Sequence, residues 1–223
     1  MLGRGLALVM GLLLFAAAAP PEVQVTGPVY YGRAQGASDV GVVDIRLVYA
    51  SNPAFVRMRA FNLSETDGGR GQKLFDEAQS AARHALAVVA SAYDLDVITE
   101  IGGVTGTENE PADLTQPVID ELPQFYVEGK VLHGSVRTAS SLGEIDSQAL
   151  LGAIPAYVEW LGSDPSEARY HLLKQEYEKA FARAVRQAAR NAGVDLVVEK
   201  GAATLRDGAV DDLTSEAIAG VAG

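Results

Sequence analysis

The chain has 223 residues, enough for one medium domain or two small ones, and its formal net charge is −11. A chain this acidic is repelled by phosphate backbones and by anionic lipid headgroups, so we expect no nucleic-acid partner. Cysteine is absent, which excludes a disulfide framework, a thiol nucleophile and a Cys-ligated metal.

The first residues have the pattern of a secretory signal peptide. A charged start containing Arg4 is followed by an apolar run, Gly5–Phe15, and then by small residues. The run is shorter than the roughly 20 apolar residues that span a bilayer. We therefore predict a signal peptide over residues 1–18, cleaved after Ala18, and a periplasmic protein without stable membrane insertion. An uncleaved anchor is the alternative.

The next elements are predicted from local signals. Residues 19–38 carry several prolines and glycines without a period, which is typical of a loose leader. The apolar run Val40–Val43 predicts a short buried strand. Asp44 is placed to cap a helical turn over residues 45–50, and Pro53 to begin another helix at the first position, where proline is tolerated.

Two pairs of sequence blocks recur along the chain. Val43–Val56 matches Ile145–Val158 at an offset of 102 residues, and Leu95–Leu122 matches Val194–Val221 at an offset of 99. Because both matches occur in the same order, we predict an internal duplication. The predicted segments are the signal peptide 1–18, the leader 19–38, the first unit 39–122, a linker with a possible strand 123–141, and the second unit 142–223.

Each unit contains a predicted helical hairpin between its matching blocks. Two antiparallel helices in that length reach only about 25–30 Å. One face of the first hairpin carries an apolar stripe at alternating spacings of three and four residues, and the second hairpin carries a similar stripe. We expect these residues either to face a client or to pack the arms together. They are Phe75, Ala78, Ala82 and Val89 in the first unit and Leu173, Tyr177 and Phe181 in the second.

Each unit ends in an Asp-Leu-Thr triplet, at Asp113–Thr115 and Asp212–Thr214. One interpretation is a paired ligand site. The favoured interpretation is a helix start, because Asp suits the positive end of a helix dipole and Thr suits the N-cap. We therefore predict that Asp113, Thr115, Asp212 and Thr214 are structural caps.

No group of residues has the spacing of a catalytic, cofactor-binding or metal site. His84, His133 and His171 share no ligand spacing, and Gly68–Lys73 lacks the GxxxxGK[ST] pattern of a phosphate loop. We expect a protein that is not an enzyme and has no cofactor.

The order of these elements resembles the Skp/OmpH family of periplasmic chaperones. The resemblance is carried by VGVVDIRLVYASNPAF (40–55) and by AVRQAARNAGVDLVVEKGAATLRDGAVDDLTSEAI (184–218), which Leu95–Leu122 repeats more loosely. It covers nearly the whole mature chain, as two family units in tandem. It implies an α+β fold in which each unit has a small β-body and a short helical hairpin arm, and in which several chains form a homo-oligomer.

The resemblance also implies a function: an ATP-independent holdase-type chaperone or assembly factor for unfolded outer-membrane and envelope proteins. The alternative is a structural envelope protein that oligomerises through its β-bodies and bridges partners. A holdase should expose a continuous apolar patch, whereas a scaffold should bury its stripes. Two segments compete for the strand of the second body, because Leu142–Asp146 is a poorer strand than Val40–Val43 and Lys130–Val136 is the other candidate.

Overall fold

In the computed structural model, which describes residues 23–66, 68–106 and 110–221, the chain is an α+β protein. Eight helices and twelve short strands lie within these residues. None of these helices combines the length and the apolar character that a membrane crossing requires. The predicted signal peptide, 1–18, lies outside the described residues.

The elements of the two halves follow one another in the same order. The strands of the first half are β1 (Gln24–Val25), β2 (Val29–Gly32), β3 (Val40–Val43), β4 (Val97–Glu100), β5 (Val104–Thr105) and β6 (Ala112–Asp113). Its helices are α1 (Ile45–Ala50), α2 (Pro53–Ala60), α3 (Arg70–Ala92) and α4 (Thr115–Asp120). The strands of the second half are β7 (Phe125–Val127), β8 (Val131–His133), β9 (Leu142–Ile145), β10 (Leu196–Glu199), β11 (Ala203–Leu205) and β12 (Asp211–Asp212). Its helices are α5 (Ser147–Gly152), α6 (Pro155–Leu161), α7 (Ala168–Ala192) and α8 (Thr214–Ala219).

Each half contains a four-stranded sheet with the same arrangement. The strand order is β2-β4-β3-β6 in the first half and β8-β10-β9-β12 in the second. In each sheet the last three strands of this order pair in parallel. The first strand, β2 or β8, pairs antiparallel with its neighbour. Each half also has an antiparallel pair, β1 with β5 and β7 with β11. We call these pairs the first ribbon and the second ribbon.

The same backbone hydrogen bonds recur in the two halves at the offsets of 102 and 99 residues. Three matching pairs are Thr26 N–H to Gly103 O with Glu128 N–H to Ala202 O, Glu100 N–H to Pro28 O with Glu199 N–H to Lys130 O, and Leu114 N–H to Val42 O with Leu213 N–H to Glu144 O. The equivalence therefore includes the ribbon strands β1 and β7, which precede the unit boundaries that the sequence predicts at residues 39 and 142.

The local predictions at the start of the first half are confirmed for β3, α1 and α2. The carboxylate of Asp44 accepts hydrogen bonds from two N–H groups in the first turn of α1, which have no helical partner. The buried side chain of Asn52 accepts from Ala54 N–H ahead of α2 and donates to the carbonyl of Ala78 over 3.2 Å. One side chain thus starts α2 and ties it to α3.

Two segments predicted as irregular contain strands. The predicted loose leader, 19–38, includes β1 and β2, and the predicted linker, 123–141, includes β7 and β8. These strands are too short to show a period, and their pairing partners are distant in sequence. Both candidates for the strand of the second body are strands: Leu142–Ile145 is the interior strand β9, and Val131–His133 is the edge strand β8.

The helical section of each half ends in two packed helices of unequal length, and the longer one exceeds the reach of about 25–30 Å that the sequence predicts. Each section has two short helices followed by one long helix, of 23 residues in α3 and 25 in α7. At 1.5 Å per residue these long helices span about 35–38 Å. The C-terminal part of α3 lies on the sheet, where Ala85, Leu86 and Val89 share a buried core with Val43 and Ile98. The long helix is therefore mainly a crossover between β3 and β4, not a free arm.

We predict that Gly32→Ala destabilises the first sheet far more than Gly36→Ala. Both glycines have a left-handed backbone, with φ of +76° and +77°, which costs an alanine about 1–2 kcal/mol. At Gly36 an added Cβ meets nothing within 4 Å, whereas at Gly32 it would lie 1.8 Å from the carbonyl oxygen of Asp96. Because β2 must move away from β4, we expect Gly32→Ala to cost at least twice as much in urea unfolding. Equal losses would show that the close approach is easily relieved.

Candidate binding surface

The apolar stripes that the sequence predicts as client-facing or arm-packing lie against the protein's own core. The smaller members and one leucine are buried, and the three aromatic members are half-buried. The buried residues are Ala78, Ala82, Val89 and Leu173, and the half-buried residues are Phe75, Tyr177 and Phe181. These side chains pack the long helices onto the sheets and the short helices, so in the folded chain they offer no continuous surface to a client.

The most exposed large apolar side chains in the described part of the chain lie elsewhere, on α6 and α7. They are Val158 at 56 %, Leu161 at 63 % and Leu172 at 65 % of full exposure. Val158 and Leu161 are three residues apart on α6 and share a helix face, and Leu172 follows the turn that joins the two helices. We call these three residues the α6–α7 patch.

Aromatic packing holds α6 against α7 close to this patch. The ring of Trp160 lies 5.8 Å from that of Tyr157 and 5.2 Å from those of Tyr170 and Tyr177, measured between centroids. Aromatic pairs at such distances contribute roughly 0.5–1.5 kcal/mol beyond their buried area. The exposed residues of the patch therefore sit on a fixed pair of helices.

Two of the three patch residues have charged counterparts in the first half. At the equivalent positions, α2 has Val56 and Arg59, and α3 has Lys73. Val56 is half-buried, and the two charged residues are exposed. Since the helices otherwise correspond, two exposed positions that are charged in the first half are apolar in the second.

The aspartates of the two Asp-Leu-Thr triplets lie in the edge strands of two different sheets. The Asp113 carboxylate accepts from the Thr115 N–H over 2.9 Å, as Asp212 does from Thr214 over 3.0 Å. The N-cap prediction for the threonines is wrong, because each is the first residue of its helix. The Thr115 hydroxyl instead accepts from the backbone N–H of Asp44 over 2.9 Å. The threonines thus join α4 and α8 to the helices that follow β3 and β9.

The two triplets differ in charge environment. Lys200 Nζ lies 2.6 Å from the Asp212 carboxylate, and with the Thr214 hydrogen bonds it lowers the pKa of Asp212 from 3.8 to about 2. In the first half, hydrogen bonds from Thr115 lower the pKa of Asp113. The residue equivalent to Lys200 is Ile101, so the ion pair belongs to the second half alone.

A second charged cluster, which the sequence does not predict, joins the two halves. Arg57 Nε donates to the Glu128 carboxylate over 2.9 Å, and Arg70 Nη2 donates to the same oxygen over 2.6 Å. The ring of Phe61 lies under both guanidinium groups, at 5.2 Å from Arg57 and 4.0 Å from Arg70. The hydrogen bonds from the two arginines hold the pKa of Glu128 below its usual value. This cluster attaches the second ribbon to α2 and α3.

Residues that could hold a metal are not grouped in the described structure. Within the described ranges, no three His, Asp or Glu side chains are placed to hold an ion together. The surfaces with functional potential are therefore the α6–α7 patch and the faces around the ribbons.

Comparison of the chain with models of known protein families, with curated proteins and with solved structures finds no match. The resemblance to the Skp/OmpH family therefore rests on the sequence blocks quoted above.

We predict that Thr115→Val destabilises the protein by about 1–3 kcal/mol, because the shape is kept while the partly buried Asp44 N–H loses its acceptor. Thr115→Ser retains the hydroxyl and should recover most of this loss. Chemical denaturation of the two variants measures the difference. A valine variant as stable as the parent chain would show that the hydrogen bond of Thr115 does not stabilise the fold.

We predict that Asp212 contributes to acid stability within a defined pH window. Its folded-state pKa is depressed, so the stabilisation is present above about pH 4 and is lost as the pH falls towards 2. The stability difference between the parent chain and Asp212→Asn should shrink across that window. Lys200→Gln should raise the pKa of Asp212 towards 3.8, which carboxyl NMR titration can measure. An unchanged pKa would exclude Lys200 as its main cause.

Proposed function

We propose that the chain is a periplasmic, ATP-independent holdase-type chaperone or assembly factor, and that it binds apolar segments of unfolded outer-membrane and envelope proteins at the α6–α7 patch. The observation that carries the proposal is the exposure of Val158, Leu161 and Leu172 on one helical pair. The matching sheet order of the two halves supports two units in tandem, and the sequence blocks quoted above support their resemblance to the Skp/OmpH family. The predicted signal peptide supports the compartment.

The chemistry of the patch suits weak and reversible binding. A fully buried Val or Leu side chain contributes roughly 1.5–3 kcal/mol, and part of that gain is offset by the ordering of the client. Three such residues hold an apolar segment without trapping it, so release needs no nucleotide. The net charge of −11 repels one complex from another and opposes their aggregation.

A structural envelope protein that oligomerises through its β-bodies is the second candidate. Burial of the predicted stripes favours it, because a scaffold uses such residues for packing. The two candidates differ in the exposed patch, which a scaffold does not need for its own stability.

An aggregation-suppression assay with an unfolded β-barrel client tests the proposal. We predict that the parent chain suppresses aggregation at low and high salt, and that Leu161→Glu with Leu172→Glu abolishes most of the effect, because two charges then face the apolar client. Leu47→Glu is the matched control: Leu47 is 53 % exposed on α1, outside the patch, and its change should leave suppression intact.

Thermal unfolding of each variant separates lost binding from lost folding, and all three substituted sites are exposed enough for the folds to persist. Equal suppression by the patch variant and the parent chain would remove the patch as the client site. A parent chain without any suppression at stoichiometric amounts would leave the structural candidate.

A further inference from the structure

The face of the first half that receives the second ribbon has no free solvent access at its centre. Pro53 is buried where α2 meets Phe125 and Tyr126, and the Arg57 side chain is only 6 % exposed. Arg57 also donates to Thr204 on the ribbon over 3.2 Å. We call this surface, on α2 and the start of α3, the covered face.

The equivalent face of the second half has no cover in the described structure. The residues equivalent to Pro53 and Arg57 are Pro155 and Glu159 on α6, and Arg169 on α7 corresponds to Arg70. Pro155 is exposed, and the Glu159 side chain is 48 % exposed where Arg57 is 6 % exposed. We call this surface the open face.

The first ribbon is the counterpart of the element that covers the first half. Its outward residues, Gln24, Thr26 and Thr105, are exposed and correspond to Tyr126, Glu128 and Thr204 of the second ribbon. In the second ribbon the opposite face packs on the second sheet, where Val127, Ala203 and Leu205 lie against the fully buried Leu196 and Val198. One chain therefore presents the open face and the outward side of the first ribbon, and both are uncovered. Their equivalents, the covered face and the second ribbon, contact each other within the chain.

We infer that a second copy of this chain docks its first ribbon on the open face, in the geometry of the internal contact. The contact inside the chain joins two different surfaces, so it is heterologous and leaves one surface of each kind unused. Further copies can use both, which produces a closed ring or an open chain of copies according to the rotation between the halves. The inference is independent of client binding at the α6–α7 patch.

Charge makes the contact between copies weaker than the contact within the chain. The internal cluster places Glu128 between Arg57 and Arg70, whereas the corresponding residues between copies are Thr26, Glu159 and Arg169, and Glu159 already pairs with Arg169. No new ion pair forms at the site, and two chains of net charge −11 repel each other. Added salt screens that repulsion, so it should strengthen the association.

Light scattering of the chain over a range of concentrations tests the inference. We expect the mean mass to rise from one chain towards two or more between low and several hundred micromolar, and to rise earlier at high salt than at low salt. A mass of one chain at every concentration and salt level would overturn the inference.

A graft of the internal charge cluster tests the geometry. Thr26→Glu combined with Glu159→Arg recreates, between copies, the arrangement of a carboxylate between two guanidinium groups. We expect this double variant to associate at least tenfold more tightly than the parent chain, while Thr26→Glu alone associates more weakly because its carboxylate faces Glu159. A double variant no tighter than the parent would overturn the proposed register.

A mixing experiment distinguishes a heterologous contact from a symmetric one. Thr26→Glu blocks only the ribbon, and Pro155→Glu blocks only the open face, so each variant alone should remain a single chain. An equal mixture should form a complex of two chains, because one partner still offers each surface. Failure of the folded variants to combine in a mixture would contradict the head-to-tail arrangement.

Discussion

The parallel pairing of β3 with β4, repeated in β9 with β10, is the constraint on which the rest of the structure depends. Parallel neighbours cannot be joined by a tight turn, so the chain must cross back along the sheet before the second strand begins. The long helices α3 and α7 make that return. Their apolar faces are used in it: Ala85 and Val89 lie against Val43 and Ile98, and the equivalent positions in α7 pack on the second sheet. An apolar stripe that packs on the sheet is not available to bind a client.

The parts of the fold that sequence predicts are those with a local physical cause. Asp44 and Asn52 accept hydrogen bonds from unpaired N–H groups in the first turn of the helix that follows, and Pro53 has no N–H to pair. The starts of α1 and α2 can therefore be predicted without any tertiary information. The ribbons have no such cause. β1 has two residues, and it exists because Val104 and Thr105 lie beside it, some eighty positions further along the chain. The same applies to the charged cluster, since Glu128 is distant in sequence from both of its arginines.

The candidate binding surface could be predicted only in part from the sequence, for a related reason. Helical periodicity identifies an apolar face but does not say whether a sheet covers it, so Ala82 and Leu161 look equally available. A comparison of equivalent positions in the two halves indicates which apolar residues are exposed. Where the first half has Arg59 and Lys73, the second has Leu161 and Leu172, and this exchange of charge for apolar surface is visible in the sequence once the offsets of 102 and 99 residues are applied to the helices.

The same comparison shows why self-association and client binding need not compete. Arg59 and Lys73 stay exposed although the second ribbon covers the face beside them. In the proposed assembly, Leu161 and Leu172 occupy the equivalent positions, so a docked ribbon from another copy leaves them open. Each added copy then brings one more patch into the same particle. An unfolded client with several apolar segments binds such a particle more tightly than any single patch, because its second and later contacts form within one complex. Assembly therefore compensates for the small size of each patch.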